Sequence, residues 1–331
     1  MPAAYLKVFL QHADSEGVEA NNLLEGTGLQ TEQLLQSDQS VSFRDIRQVL
    51  ANFTAKMGAG WHLSLAPRLT IPSHGPLGFA VVTAPDLRAS VDVLLRFFGI
   101  RGPFLTLAGA IEGDDFVIRL YEAADMGEER IILVELAVLA IQGLLERPLG
   151  HEITGARIGL AYPAPEYRER LEAAFRPRLD YAASGHSIRF PASWLDEPCA
   201  LYDEGMHRYL LARCEDDMRA ELGTLPAEIA VRQALLASPQ ELPDLKAVAA
   251  AQNISPRTLI RRLKKGNTSY GRILEEVRKT LASDYLLHSD VNIASVAYRL
   301  GYKDPSNFGR AFRKWFGVPP GRFRSRVDSS R

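Results

Sequence analysis

A chain of 331 residues has room for two or three domains, each able to bury its own core. With 46% apolar and 24% charged residues it is composed as an ordinary soluble globular protein, which excludes disordered and collagen-like classes. The net charge of −1 hides an asymmetry: residues 226–331 carry 19 Lys and Arg against 9 Asp and Glu, leaving 20 against 31 for the rest, so nucleic acid is an expected partner of the basic end alone.

The opening MPAAYLKVFLQHAD has no basic region leading into an apolar run and cleavage site, and IILVELAVLAI is short for a bilayer and interrupted by Glu135. A cytoplasmic protein without membrane contact is expected. Residues 2–58 read as a small helical lead-in, with Tyr5, Val8, Phe9 and His12 on one stripe and Phe43, Ile46, Val49, Leu50 and Phe53 on another; GTGL at 26–29 and the polar residues around Ser37 read as turns. Residues 61–85, rich in Gly and Pro, suggest helical pieces broken by turns. Asp86 caps a predicted helix through Phe98, with Leu87, Val91, Leu94, Leu95 and Phe98 inward. Two strands follow around Glu112-Gly113-Asp114-Asp115, the second alternating Phe116, Ile118 and Leu120 with Val117, Arg119 and Tyr121. A long helix over about 128–146, a strand in ITGARIGLAY and a helix in APEYRERLEAAF come next, and RLDYAAS with HSIRFPASW reads as a closing strand pair around Ser184-Gly185. Residues 1–200 are therefore expected to form an α+β domain with a layered core.

After Pro198 the text turns helical, with Met206, Leu210, Cys214, Met218 and Leu222 spaced by four, either a dimer seam or the side packed on the body, with packing favoured. GTLPAEIA reads as a linker that closes a connecting segment over 201–225. Residues 226–331 are expected to be all α. A supporting helix at 227–237 precedes two copies of one pattern, at about 243–265 and 293–316, joined by a linker helix at about 269–288. Ala249 stands four before Asn253, and Ser255-Pro256 opens a run with Leu259 and Leu263; Ala297 stands four before Gly301, and Asp304-Pro305 opens a run with Phe308 and Phe312. Asn and Gly tolerate the left-handed turn, Ser and Asp accept from free helix-start amides, and Pro in the first turn loses no bonded donor. This is a helix-turn-helix written twice.

In each second helix the positions two, six and nine after the cap lie nearly opposite the apolar pair, because two residues advance about 200° around the axis. They hold Arg257, Arg261 and Lys264, then Ser306, Arg310 and Arg313. Arg matches guanine in a bidentate fashion, Ser306 or Asn307 suits adenine or thymine, and Thr258, Lys264, Lys265 and Arg313 suit phosphates. The linker helix, with Ile273, Val277, Leu281, Tyr285 and Leu286 inward, spans about 28 Å, close to the roughly 34 Å between successive major grooves.

The segments PDLKAVAAAQNISPRTLIRRLKKGNTSYGRILEEVRKTLASDYLLHS and IASVAYRLGYKDPSNFGRAFRKWFGVPPGRFR resemble the AraC/XylS family of bacterial transcription regulators over about 100 residues, the second through Ala297, Gly301, Tyr302, Phe308, Arg310, Phe312, Phe316, Gly317, Pro319, Pro320 and Arg324. The resemblance implies base reading by Arg257, Ile260 and Arg261 in the first helix and by Pro305, Ser306, Asn307 and Arg310 in the second. Ile260 offers only apolar contact and Pro305 no donor, so the second helix is expected to read fewer bases. Residues 20–205 more loosely resemble an α+β sensor of one branch of that family, around HGPLGFAVVTAPDLRASVDVLLRFF and AYPAPEYRERLEAAF. That branch is not the cupin-like sugar-sensing one, and arabinose binding is not carried over.

The resemblance implies a transcription factor, more often an activator, working on double-stranded promoter DNA with RNA polymerase under a small-molecule effector; a homodimer is a further expectation. Trp61, Arg68, His74, Arg101 and Tyr121 lie in or beside apolar segments and are the effector candidates, an Arg or His there being suited to a carboxylate and aliphatic walls to an apolar remainder. No catalytic triad, carboxylate pair, Walker, GxGxxG or HExxH pattern is present, so no enzyme, cofactor or metal is expected; Cys199 and Cys214 have no zinc spacing, and Tyr202, His207 and Cys199 make a poor metal cluster. The competing readings are an effector-independent architectural protein and, less favoured, an enzyme with a DNA-targeting end.

Overall fold

The computed structural model describes residues 3–36, 41–289 and 291–328; the expected turn around Ser37 lies outside them. Four helices form the lead-in: α1 (Ala3–Ser15), α2 (Ala20–Leu23), α3 (Thr31–Gln36) and α4 (Phe43–Met57). Helix α1 buries Tyr5, Phe9 and His12, and α4, capped by Ser42, buries Ile46, Val49, Leu50 and Phe53. Two 3-10 segments, Trp61–Arg68 and Ile71–His74, lead into α5 (Gly75–Val82). Pro67, Pro72 and Pro76 lack amide donors, which is why one continuous helix does not form here.

Asp86 accepts from the Ala89 amide at 2.8 Å and starts α6 (Leu87–Phe97). Strands β1 (Leu105–Glu112) and β2 (Asp115–Glu122) form a tight hairpin with Gly113 at φ 61°. Then come α7 (Arg130–Leu149), β3 (Arg157–Gly159), α8 (Arg168–Ala174), β4 (Arg178–Asp180) and β5 (His186–Pro191). The sheet order is β1-β2-β5-β3-β4. The expected closing pair of β4 and β5 does not form: β5 enters antiparallel between β2 and β3, and β4 runs parallel to β3 at the edge. Burial decides this, since Ile188 pairs with Ile118 on one side and Ile158 on the other and all three are fully buried.

The two faces of the sheet have different neighbours. Leu107, Ile118, Leu120, Ile188 and Phe190 join the apolar core that includes α6 and α7. On the other face Ala108 and Tyr121 belong to the core of the C-terminal helices. Helix α7 is buried almost all round, and the carboxylate of Glu135 in its second turn meets His62 and the hydroxyls of Tyr162 and Tyr167.

Helix α9 (Glu204–Thr224) is capped by Asp203. Of its expected stripe, Leu210 and Cys214 are buried and Met218 is half-buried, but Met206 is 50% exposed. Residues spaced by four drift about 40° per step, so a five-member row turns off the core at its end. The expected linker shrinks to Leu225-Pro226, because Gly223 and Thr224 complete α9 and α10 (Ala227–Leu236) begins at once. The remaining helices are α11 (Leu245–Ala251), α12 (Pro256–Lys265), α13 (Tyr270–His288), α14 (Ile293–Arg299), α15 (Pro305–Phe316) and α16 (Pro320–Asp328). Sequence reading did not foresee α16, whose Phe323 packs on Phe312 and Phe316. No helix among the described residues is long and apolar enough to cross a membrane.

Candidate functional site

Helices α11 and α12 form the first helix-turn-helix, α14 and α15 the second, and the two turns close alike. Asn253 at φ 53° lets the Ile254 amide donate to the Ala249 carbonyl at 3.1 Å; Gly301 at φ 75° lets the Tyr302 amide donate to the Ala297 carbonyl at 3.0 Å. Ser255 Oγ accepts from the Thr258 amide at 3.2 Å, and Asp304 Oδ1 accepts from the Ser306 amide at 2.8 Å. Leu259 and Leu263, like Phe308 and Phe312, are buried, which turns the opposite side of each helix to solvent.

On that side of α12, Arg257, Ile260, Arg261, Lys264 and Lys265 are exposed, and Thr258 is half-buried with its hydroxyl 2.9 Å from Ser255 Oγ. Arg257, Arg261, Arg262, Lys264 and Lys265 make no ion pair among the described residues, although Arg119, Arg189 and Arg232 of the same chain do. On α15, Ser306, Asn307, Arg310 and Arg313 are exposed, Pro305 is half-buried, and the Arg310 guanidinium donates to Asn307 Oδ1. Helix α13 fixes the second turn: Arg278 donates to the Leu300 carbonyl at 2.7 Å and lies over the Tyr302 ring at 4.7 Å.

The five effector candidates do not form one site. Trp61 is buried and stacks on Phe53 with ring centroids 4.3 Å apart, a core role. Arg68 is exposed and reaches Ser15 Oγ at 3.0 Å. His74 and Arg101 do come together, through Tyr5, a residue that only its place on a helical stripe marked in the sequence. Tyr5 Oη and His74 Nδ1 are 2.8 Å apart, and burial with the nearby Arg101 charge lowers His74 to about 4 while burial raises Tyr5 to about 12. Tyr121 lies at the seam between the halves, where its hydroxyl donates to Asp284 Oδ2 at 2.7 Å.

That seam holds further contacts. Arg119 binds Glu112 on its own hairpin and donates to Asp284 Oδ1 of α13 at 2.8 Å; Gln233 of α10 donates to the Pro103 carbonyl at 2.9 Å; and Ser184 Oγ lies 2.8 Å from His288 Nε2. Clefts of about 630 and 550 Å³ flank the Arg119–Asp284 pair. Cys199, Tyr202 and His207 do not converge: Cys199 faces Ser90 Oγ at 3.3 Å, His207 faces the Ala80 carbonyl at 3.0 Å, and Tyr202 is exposed.

Comparison with known proteins adds two family matches. Residues 17–199, more than half of the chain, match the arabinose-binding domain of AraC transcription regulator, N-terminal, and residues 248–326 match a helix-turn-helix domain. The ornithine utilization regulator of Pseudomonas aeruginosa is 29% identical over 329 residues, covering 98% of this chain and 96% of that protein. The transcriptional activator NphR of Rhodococcus sp is 30% identical over 142 residues, 43% of this chain and 40% of that protein. The crystal structure of the transcriptional regulator CdpR from Pseudomonas aeruginosa covers 87% of this chain and all of its own, with 21% identity and a TM-score of 0.40.

Proposed function

We propose, for a chain that belongs to the AraC family of transcription regulators, that it activates transcription by reading two adjacent major grooves of promoter DNA under the control of a small-molecule effector. The observation that carries the DNA-reading part is the surface of α12. Five basic side chains stand there without a carboxylate partner among the described residues, beside an exposed Ile260. Phosphates supply the missing charge, and base edges supply partners for the guanidinium forks.

In this reading Arg257, Ile260 and Arg261 contact bases from α12, with Thr258, Lys264 and Lys265 on the backbone. Ser306, Asn307 and Arg310 contact bases from α15, with Arg313 on phosphate. Helix α13, at 19 residues and about 1.5 Å each, holds the readers about 28 Å apart, so the operator carries two short boxes about one helical turn apart. Contact with RNA polymerase and pairing into a homodimer complete the reading. A relative named for ornithine utilization supports a small metabolite as the effector, whereas the open sheet gives no reason to carry over the sugar named in the family description.

Binding of the protein to its own promoter fragment tests this. Arg261→Ala should weaken binding by about 1–3 kcal/mol and relax preference at one base pair, while Lys265→Ala should weaken all sequences alike. Unchanged affinity and unchanged preference in Arg261→Ala would sink the assignment of α12.

A further inference from the structure

Arg101 follows the short 3-10 turn Phe98–Ile100 and closes one end of a cavity of about 50 Å³. The other walls are apolar: Tyr5 and Phe9 of α1, Leu50 of α4, and Leu136, Ala137 and Ala140 of α7. Arg101 Nε is buried without a hydrogen-bond partner, and among the described residues no carboxylate stands within ion-pair distance of its guanidinium. Its Nη2 lies so close to the backbone of Gly75 that a Cβ there would stand 1.8 Å away, so Gly75, at φ 56°, is what lets the guanidinium occupy this place. Asp217 and Glu221 line the adjoining groove without pairing with Arg101, and a guanidinium drawn partly out of water with no paired carboxylate is unfavourable to the protein by itself. On its other side Arg101 opens to this groove, of about 560 Å³, which gives access from solvent.

We propose that this cavity is the effector site and that it takes a compact carboxylic acid, its carboxylate on Arg101 and its apolar tail between α1, α4 and α7. The inference rests on reading the chain as an effector-governed regulator. Charge sets the head group: a planar guanidinium with a free N–H matches a carboxylate in paired hydrogen bonds. Volume sets the tail: one water molecule needs about 10–15 Å³ of such space, so the cavity holds about four such volumes, a tail of three or four carbons. In the larger seam clefts Arg119 and Arg189 are already bound by Glu112, Asp115 and Asp284, and the cations Arg299 and Lys279 lie over the rings of Tyr285 and Phe316.

The same loop connects the cavity to the DNA-binding half. Phe98, Arg101, Gly102 and Phe104 line the cavity, while Pro103 accepts from Gln233 of α10, and a Cβ on Gly99 would stand 3.2 Å from the same Gln233 amide. A carboxylate that draws Arg101 inward therefore moves a segment hydrogen-bonded to the helix that precedes α11 and α12.

Thermal unfolding of the full chain with butyrate, against butyramide and against chloride at equal ionic strength, tests the site. Butyrate should raise Tm by several degrees through mass action and the two controls should not. Arg101→Leu should abolish the butyrate shift with a ligand-free Tm no lower than that of the parent, since an unpaired cation has been removed. Ala137→Leu, which fills the cavity and keeps Arg101, should abolish it too. No butyrate shift, an equal shift with butyramide, a shift that survives both substitutions, or a fall in the ligand-free Tm of Arg101→Leu by several degrees would each overturn the assignment. Promoter binding by the parent protein is read separately: its absence defeats the regulator reading, whatever the butyrate result.

Discussion

The two helix-turn-helix units share a backbone plan and differ in what holds them. In the first, Leu259 and Leu263 of α12 sit in an aliphatic core with Val248, and the turn relies on Asn253, a residue with a side chain forced to φ 53°. In the second, Phe308, Phe312, Phe316 and Phe323 pack in edge-to-face and tilted contacts with centroids 4.5 to 5.6 Å apart, α16 covers the far side, and Arg278 bonds across the turn. Their reading faces differ the other way. The first has several uncommitted cations, whereas the Arg310 guanidinium of the second is held by Asn307 on its own helix. On the proposed assignment of the reading faces, one unit is suited more to contact with DNA and the other more to rigidity, and a single sequence pattern serves both.

The largest expected effect that tests this contrast is on the cores. Phe312→Ala should destabilise the C-terminal half by about 3–5 kcal/mol and Leu263→Ala by about 2–5, with the aromatic site nearer its upper limit because three ring contacts go with it. Denaturant unfolding of each variant gives the ranking, and a larger loss at Leu263 would reverse the view of which unit is rigid. On the reading faces, Arg261→Ala should fall within about 1–3 kcal/mol of promoter binding, and Arg310→Ala should lose less, about 1 kcal/mol, because Arg310 gives up its bond to Asn307 on meeting a base. Equal losses in a titration of both variants would remove the distinction. In the turns, Gly301→Ala forces a Cβ into left-handed backbone and to 3.0 Å from Arg278 Nη2, at about 1–2 kcal/mol, whereas Asn253→Gly should be close to neutral; Tm shifts report both. Smallest, the caps Ser255→Ala and Asp304→Ala should each cost about 1 kcal/mol, with Asp304 slightly ahead because its charge also meets the helix dipole.

The doubled unit was legible because everything that specifies it is local. A cap, a proline, a left-handed turn residue and an apolar pair four apart all fall within about 20 residues, and the structure reproduces each of them. The body was legible as an α+β fold and as a list of elements, but its pairing was not. Nothing near Ser184-Gly185 tells β5 to pass over β4 and lie between β2 and β3; that choice belongs to Ile118 and Ile158, 70 and 30 positions away from Ile188. Which of the effector candidates come together, His74 and Arg101 alone, was hidden for the same reason. An apolar neighbourhood in sequence does not separate a core ring such as Trp61 from a lining residue, and the absence of a partner, the property that marks Arg101, exists only in three dimensions.

The carboxylate in the second turn of α7 bears on how the body finds its structure. A helix whose side chains are nearly all apolar and nearly all buried could turn about its axis or slide by one turn with little change in the oil it displaces. Glu135 removes that freedom, since only one setting delivers it to His62, Tyr162 and Tyr167, and every other leaves its polar oxygens without partners in the core. It works as a dowel does in joinery, adding little strength of its own and fixing where the pieces meet. The walls that α7 lends to the cavity behind Arg101, Leu136, Ala137 and Ala140, are thereby held in place by the residue beside them.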